Sequence, residues 1–390
     1  MRRAMTPLLR VLLSAAVMLA SGSAAAVSCT WPDWDHFKQG MVSADGRVID
    51  ASTPEQVTVS EGQAYALFFA LVANDRAMFD RVLNWTQNNL AQGDLTKHLP
   101  AWQWGRHEAK DGDKSAPAWG VLDSNPASDA DIWIAYTLLE AGRLWHERSY
   151  TALGTTMARA IVAQETAVIP GLGRTVLPGP AGFHPKDDVW RLNPSYVPLQ
   201  VMRHLATALP QQVEWKAMQA SSATLVTATA PHGYSPDWVL YQSGKGFAPD
   251  EQTKAESAYN AIRVYLWAGM LAPDAAGRSS VLDAFRPLAD YVAAHGAPPE
   301  RVDTQSGTPG ANDGNSGFSA AVAPYLAALG RNDLAQAQVQ RSRSLATQSP
   351  PGYYSQVLSL FGLGFLDGLY RFDGDGALVP AWMSTCPAAH

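Results

Sequence analysis

Residues 57–74 read VTVSEGQAYALFFALVAN. From Gly62 to Ala73 the stretch carries no charge, and its only acid, Glu61, stands at the start. A helix apolar on every side is buried on every side. The next segment, 75–90 (DRAMFDRVLNWTQNNL), keeps apolar residues at three- and four-residue spacing but adds Asp75, Arg76, Asp80 and Arg81. That is the pattern of an amphipathic helix with one face in water.

This contrast recurs. SDADIWIAYTLLEAGRLW is followed by RSYTALGTTMARAIVAQE, and helical periodicity pairs 193–208 with 211–229, 255–271 with 277–295, and 316–329 with 332–347; a last helix covers 353–366. The spacing predicts about eleven or twelve helices in successive hairpins. No Pro/Ser linker interrupts them, and the pairs share no repeat consensus. An all-α, closed ring of helix pairs accounts for the pattern, with apolar helices inside, amphipathic ones outside, and loops at one end forming a long cleft.

The N-terminal segment MRRAMTPLLRVLLSAAVMLASGSAAA has basic residues, an apolar run and then small residues. It reads as a signal peptide over 1–26, leaving one domain over 27–390. The expected location is periplasmic or secreted. Loss of Arg2, Arg3 and Arg10 takes the formal charge from -6 to -9. An acidic chain of this kind is poorly suited to nucleic acid, whose binding neutralises phosphates. Thirteen tryptophans in a weakly charged exported chain suit a neutral ligand with flat apolar faces, such as a glycan. The two cysteines, Cys29 and Cys386, lie at opposite ends of the chain and are expected to form a disulfide in an oxidising compartment.

Ser60 reads as an N-cap, with Gln63 at the reciprocal position of a capping box. Ser128 and Asp131 have the same spacing before the second inner helix. Yet the second site holds two acids, Asp129 and Asp131, more than capping needs. If the inner helices start at one rim, Glu61 meets these aspartates, and like charges raise the pKa of at least one carboxyl. That opposes the helix dipole, which lowers it.

Together these windows resemble glycoside hydrolase family 8. ASDADIWIAYTLLEAGRLW (127–145) follows that family's signature, with Thr137 a mild departure, and SEGQAYALFFALVAN resembles the segment around its catalytic acid. The segments CTWPDWDHFK, GRVID, LPAWQWG, VLDSNPASDAD and AIRVYLWAGML resemble more narrowly the branch encoded beside bacterial cellulose synthase. The resemblance implies an (α/α)6 barrel and inverting hydrolysis of β-1,4-glucan. It also implies a functional link to the synthase. The chain is expected to act as a monomer without a metal or organic cofactor and without a membrane partner once cleaved.

By that resemblance Glu61 is the general acid, and Asp129 or Asp131 holds the sugar at the cleavage point. The family's base is the Asp of a Tyr-Asp-Ala-Ile-Arg segment. This chain reads Tyr259-Asn260-Ala261-Ile262-Arg263. An amide takes no proton near neutral pH, although it can hold a water. Asp250, Glu251, Glu256 and Asp131 are the candidate substitutes. Arg263 is expected to orient a carboxylate or sugar, and Tyr259 to contact the reacting water. Trp102 and Trp104 are candidate sugar platforms, with Tyr196, Trp190 and Trp238 weaker ones. The DGDG at 373–376 reads as a turn. Two rival readings are a glucan-binding protein of low turnover, because of Asn260, and the same hydrolysis on xylan or chitosan.

Overall fold

The computed structural model describes residues 30–107 and 118–384. Cys29 and Cys386 lie outside them, so the disulfide expectation does too. The helices run in chain order α1 (Pro32–Met41), α2 (Ser60–Val72), α3 (Arg76–Leu90), α4 (Ser128–Leu144), α5 (Arg148–Gln164), α6 (Leu199–Ala208), α7 (Val213–Ala228), α8 (Ala261–Gly269), α9 (Arg278–Ala284), α10 (Arg286–His295), α11 (Ser316–Ala328), α12 (Asn332–Gln348) and α13 (Tyr353–Leu366).

Composition sorts them into two rings. Every residue of α2 except Glu61 is buried, as is α11 from Ser316 to Leu326. By contrast α3 buries one stripe, including Met78, Phe79, Val82 and Leu83. The inner ring runs α2–α4–α6–α8–α11–α13. It closes through Phe361 of α13, which packs against Phe68 and Phe69 of α2. Outside it, α3 packs on α2, α5 on α4, α7 on α6, α9 on α8, α12 on α11, and α1 on α13. This is the expected (α/α)6 barrel.

Its axis is filled rather than open. Trp133, Trp267 and Phe361 meet with ring centroids 5.1–5.4 Å apart, and Tyr65 packs edge-on to Phe361 at 4.9 Å. Such edge and tilted contacts are the preferred aromatic geometry. Neighbouring inner helices also approach closely. A Cβ on Gly362 would lie 2.0 Å from the Ala320 carbonyl oxygen, and one on Gly269 would lie 2.3 Å from the Tyr325 nitrogen.

Several expectations shift at the N-terminal rim. Segment 255–271 is helical only from Ala261, because Glu256–Ser257 pairs as a strand with Val302–Asp303. Segment 193–208 starts its α-helix at Leu199, after a short 3-10 turn at Pro194–Tyr196. Segment 277–295 breaks between α9 and α10, where Pro287 lacks the N–H a continuous helix would use. Helix α1 was not among the expected elements. The Trp-rich loop before α4 forms a hairpin, Ala101–Arg106 with Trp119–Pro126, to which Thr58–Val59 adds a strand. Short strands thus lead directly into α2, α4 and α8.

That arrangement overturns both capping boxes. Val59 and Ala127, extended by strand pairing or its continuation, occupy the N-cap positions without side-chain caps. Ser60 and Ser128 fall inside their helices, with hydroxyls lacking a partner among the described residues. Gln63 instead turns inward, accepting the Val48 N–H at 2.7 Å and donating to Thr86 at 3.0 Å.

The close approach at Gly362 has a measurable consequence. Gly362→Ala should lower the unfolding free energy by about 1–3 kcal/mol, the usual cost of overpacking. Gly40→Ala, where nothing lies within 4 Å of the added Cβ, should change it by no more than about 1 kcal/mol. Urea unfolding of the two variants side by side measures the difference.

Candidate active site

The inner helices begin at one rim, so their first turns converge. Arg263, in the first turn of α8, is 3% exposed at its side chain. Its Nη1 bonds Glu61 Oε2 of α2, Asp129 Oδ2 of α4 at 3.0 Å, and the Tyr65 hydroxyl at 3.2 Å. Its Nη2 donates to Ser195 Oγ at 3.0 Å and to Asn260 Oδ1 at 2.8 Å. The Tyr353 hydroxyl, at the start of α13, donates to Glu61 Oε1 at 3.3 Å. Four of the six inner helices, α2, α4, α8 and α13, thus place a side chain on one small cluster.

Two carboxylates share one cation, so the ionised cluster carries excess negative charge. Burial pushes the Glu61 carboxyl up to about 7; Arg263 opposes that rise and Asp129 adds to it. Burial also raises Asp129, against the pull of Arg263 and of the Ala130 N–H on its Oδ1. Exposure separates their roles. The Glu61 side chain is 16% exposed and that of Asp129 5%, so Glu61 is the more open of the two. The combination is a carboxyl raised to about 7 and held beside a second carboxyl by one arginine.

Comparison with known proteins gives the family. The family model for glycosyl hydrolases family 8 matches residues 9–368. An endoglucanase of Escherichia coli O157:H7 is 44% identical over 377 residues, covering 96% of this chain and 97% of its own. One from Xanthomonas axonopodis pv. citri is 46% identical over 379 residues, with 96% of each chain covered. The crystal structure of an endo-1,4-D-glucanase from Vibrio fischeri superposes with a TM-score of 0.85 at 43% identity, covering 91% of this chain and 100% of that one. The chain belongs to glycoside hydrolase family 8.

In this family 8 hydrolase the two aspartates of the SDAD turn part company. Residues two apart on a helix do not face each other. Asp129 therefore reaches Arg263, while Asp131 points into the barrel wall and meets Glu165 at the end of α5. Both of these carboxyls are fully buried, and no donor reaches them among the described residues. Ionised carboxylates are acceptors only, so the pair must hold a proton. Burial raises both carboxyls well above their ordinary values. Asp131 is thus removed from the sugar-holding role and from the list of substitute bases.

The other substitutes are paired elsewhere or exposed. Asp250 is buried against Arg191 at 2.9 Å, Glu256 pairs with Arg301, and Glu251 lies exposed on a 3-10 turn. Tyr259 is exposed and donates its hydroxyl to Glu300 at 2.7 Å, not toward the cluster. Tyr196 is half-buried beneath Arg263, whose guanidinium lies 5.5 Å from its ring. Trp102 is exposed on the rim hairpin. Trp104 is half-buried, stacked on Trp119 at 5.4 Å, with the Arg47 guanidinium 4.4 Å from its ring. Trp190 is buried against His184, whereas Trp238 is half-buried and stacked on Phe183.

Sequence reasoning missed several members of the site. Asn193 and Ser195 precede α6, Tyr353 and Tyr354 open α13, and Asp237 sits in the SPDW segment. The first four follow the rule that found Glu61: polar residues where an inner helix begins. Asp237 follows none, since its segment carries no helical signal.

The Asp131–Glu165 pair links stability to pH. The folded protein keeps protons here that the unfolded chain sheds near the ordinary values of 3.8 and 4.5. Unfolding then releases protons, and stability falls as pH rises above that range. Thermal unfolding between pH 5 and 9 should show a steeper loss for the unaltered chain than for the double variant D131N/E165Q. Equal slopes would exclude the shared proton.

Proposed function

We propose that this family 8 hydrolase is an endo-β-1,4-glucanase that cleaves cellulose chains with inversion, outside the cytoplasm and beside a cellulose synthase. The observation that carries the reading is the Glu61 carboxyl, held near pH 7 at the cleft by burial between Arg263 and Asp129. The names of its relatives, endoglucanases at 44–46% identity, support the substrate class. The exposed face of Trp102 suits the apolar face of a glucose unit. The signal-like N-terminal segment supports export.

In this reading Glu61, protonated, gives its proton to the bridging oxygen as the glycosidic bond breaks. Asp129 stays ionised against Arg263 and the Ala130 N–H, and takes a hydrogen bond from a hydroxyl of the sugar at the cleavage point. Arg263 fixes both carboxyls and keeps the negative charge of Asp129 beside the cationic transition state. Tyr353 holds the other oxygen of Glu61 in place.

A second reading, glucan binding with slow turnover, rests on Asn260. Its oxygen is occupied by Arg263 and by the Asn193 amide at 3.1 Å, so position 260 supplies no proton acceptor.

Reducing-sugar release from carboxymethylcellulose separates the two. Glu61→Gln should lose roughly 10²–10⁴ in kcat. In the unaltered chain kcat should fall as pH rises through about 7, where Glu61 loses its proton. Equal rates for the two proteins would remove Glu61 from the mechanism.

A further inference from the structure

We propose that Asp237 is the proton acceptor of the hydrolytic step, replacing the carboxylate that position 260 lacks. The inference deepens the endoglucanase reading and rests on it.

The starting point is the orientation of Asn260. Arg263 can only donate, so the atom of Asn260 it touches is the oxygen. Asn193 agrees. Its own oxygen takes the Ser195 N–H and hydroxyl at 3.0 and 2.7 Å, leaving its NH₂ to donate to the same Asn260 oxygen. The outward group of Asn260 is therefore an NH₂. It can donate to a water or a sugar hydroxyl, but it cannot take the proton an attacking water must lose.

Asp237 is the carboxylate nearest this gap in the chain of contacts. Its Oδ1 accepts three backbone N–H groups, from Ala258 at 2.8 Å, Asn260 at 3.1 Å and Ala261 at 2.7 Å. These bonds fix the carboxyl on the first turn of α8, beside residue 260 itself. Asp237 is half-buried, and among the described residues its Oδ2 takes no hydrogen bond and is not sealed from solvent, which leaves that oxygen open to water. One oxygen is anchored and the other is free, as a positioned base requires.

The placement is right for inversion. In the inner ring α8 stands three helices from α2 in either direction, so Asp237, bonded to the start of α8, and Glu61 stand across the ring from each other. A single arginine side chain, Arg263, bridges the ends of those helices. An inverting pair needs about 6.5–9.5 Å between its carboxyls, to seat a water between them. The charged and titratable groups facing Asp237 are Arg263 and Tyr265 of α8 and Tyr354 of α13. Burial raises the Asp237 carboxyl despite its three N–H donors, with Arg263 opposing, which moves its basicity toward neutral pH.

The step balances without another reactant. The Glu61 proton passes to the bridging oxygen, which leaves with the electron pair of the broken C–O bond. The water oxygen bonds to the anomeric carbon from the opposite face, and its proton passes to Asp237 Oδ2. Exchange with solvent then restores a proton to Glu61 and removes one from Asp237.

Asp237→Asn is the informative variant. The Asn oxygen can still accept the three backbone N–H groups, so a structural role survives while the base is lost. With carboxymethylcellulose, D237N should lose roughly 10²–10⁴ in kcat with little change in KM, keep the unfolding midpoint of the unaltered chain, and lose the acid-side limb of the pH–kcat profile. Adding N260D to D237N should recover at least tenfold of that rate. Wild-type kcat in D237N, with E61Q inactive, overturns the assignment of Asp237 and leaves the endoglucanase reading standing. No turnover in the unaltered chain, with turnover gained in N260D alone, overturns both in favour of glucan binding.

Discussion

A guanidinium almost cut off from water organises the rim of this barrel. Burying a cation costs several kcal/mol unless partners replace its hydration. Arg263 recovers that cost through Glu61, Asp129, Tyr65, Ser195 and Asn260. These partners come from α2, α4 and the approaches to α6 and α8, so the ion pair cannot form until the ring closes. Trp267, one turn further along α8, packs into the aromatic axis and donates to the Ser195 carbonyl at 3.0 Å. The same helix therefore anchors the dry core and the charged site. The low polarity of that core raises the Glu61 carboxyl, since desolvation is the largest influence on it.

The fold was legible because burial imposes different residue patterns on the two rings. An inner helix such as α2 is apolar all round, while α3 is apolar on one stripe. What periodicity did not reveal lies where strands enter helices. Val59 is held extended by its pairing with Gln103, which moves the start of α2 by one residue and disables the Ser60–Gln63 capping box. Strand pairing also trims the front of α8, and the unexpected exposure of Tyr259 follows, because it lies before the helix rather than on it.

The site was legible to the same extent. Glu61 stood out because an acid is costly beside so much apolar surface. The SDAD turn signalled two acids but not their division, which needs the direction of each side chain. Asp129 meets a cation; Asp131 meets another carboxyl and must share a proton with it. Asp237 was invisible because its importance comes from three backbone N–H groups more than twenty positions away in sequence.

The amide at position 260 also fits the charge of the cluster. Arg263 already faces two carboxylates, and a third at 260 would place one more negative charge on the same guanidinium. That charge would raise the proton affinity of Glu61 further, because like charges disfavour ionisation. An amide gives Arg263 the same oxygen acceptor without it. A base on Asp237 is held by backbone N–H groups instead of Arg263, so its charge is separated from the acid by the first turn of α8. Acid and base can then be set apart: Glu61 by burial beside Asp129, Asp237 by its own balance of burial and N–H donors. Burial raises both carboxyls, but different partners oppose the rise, chiefly Arg263 at Glu61 and the backbone N–H groups at Asp237.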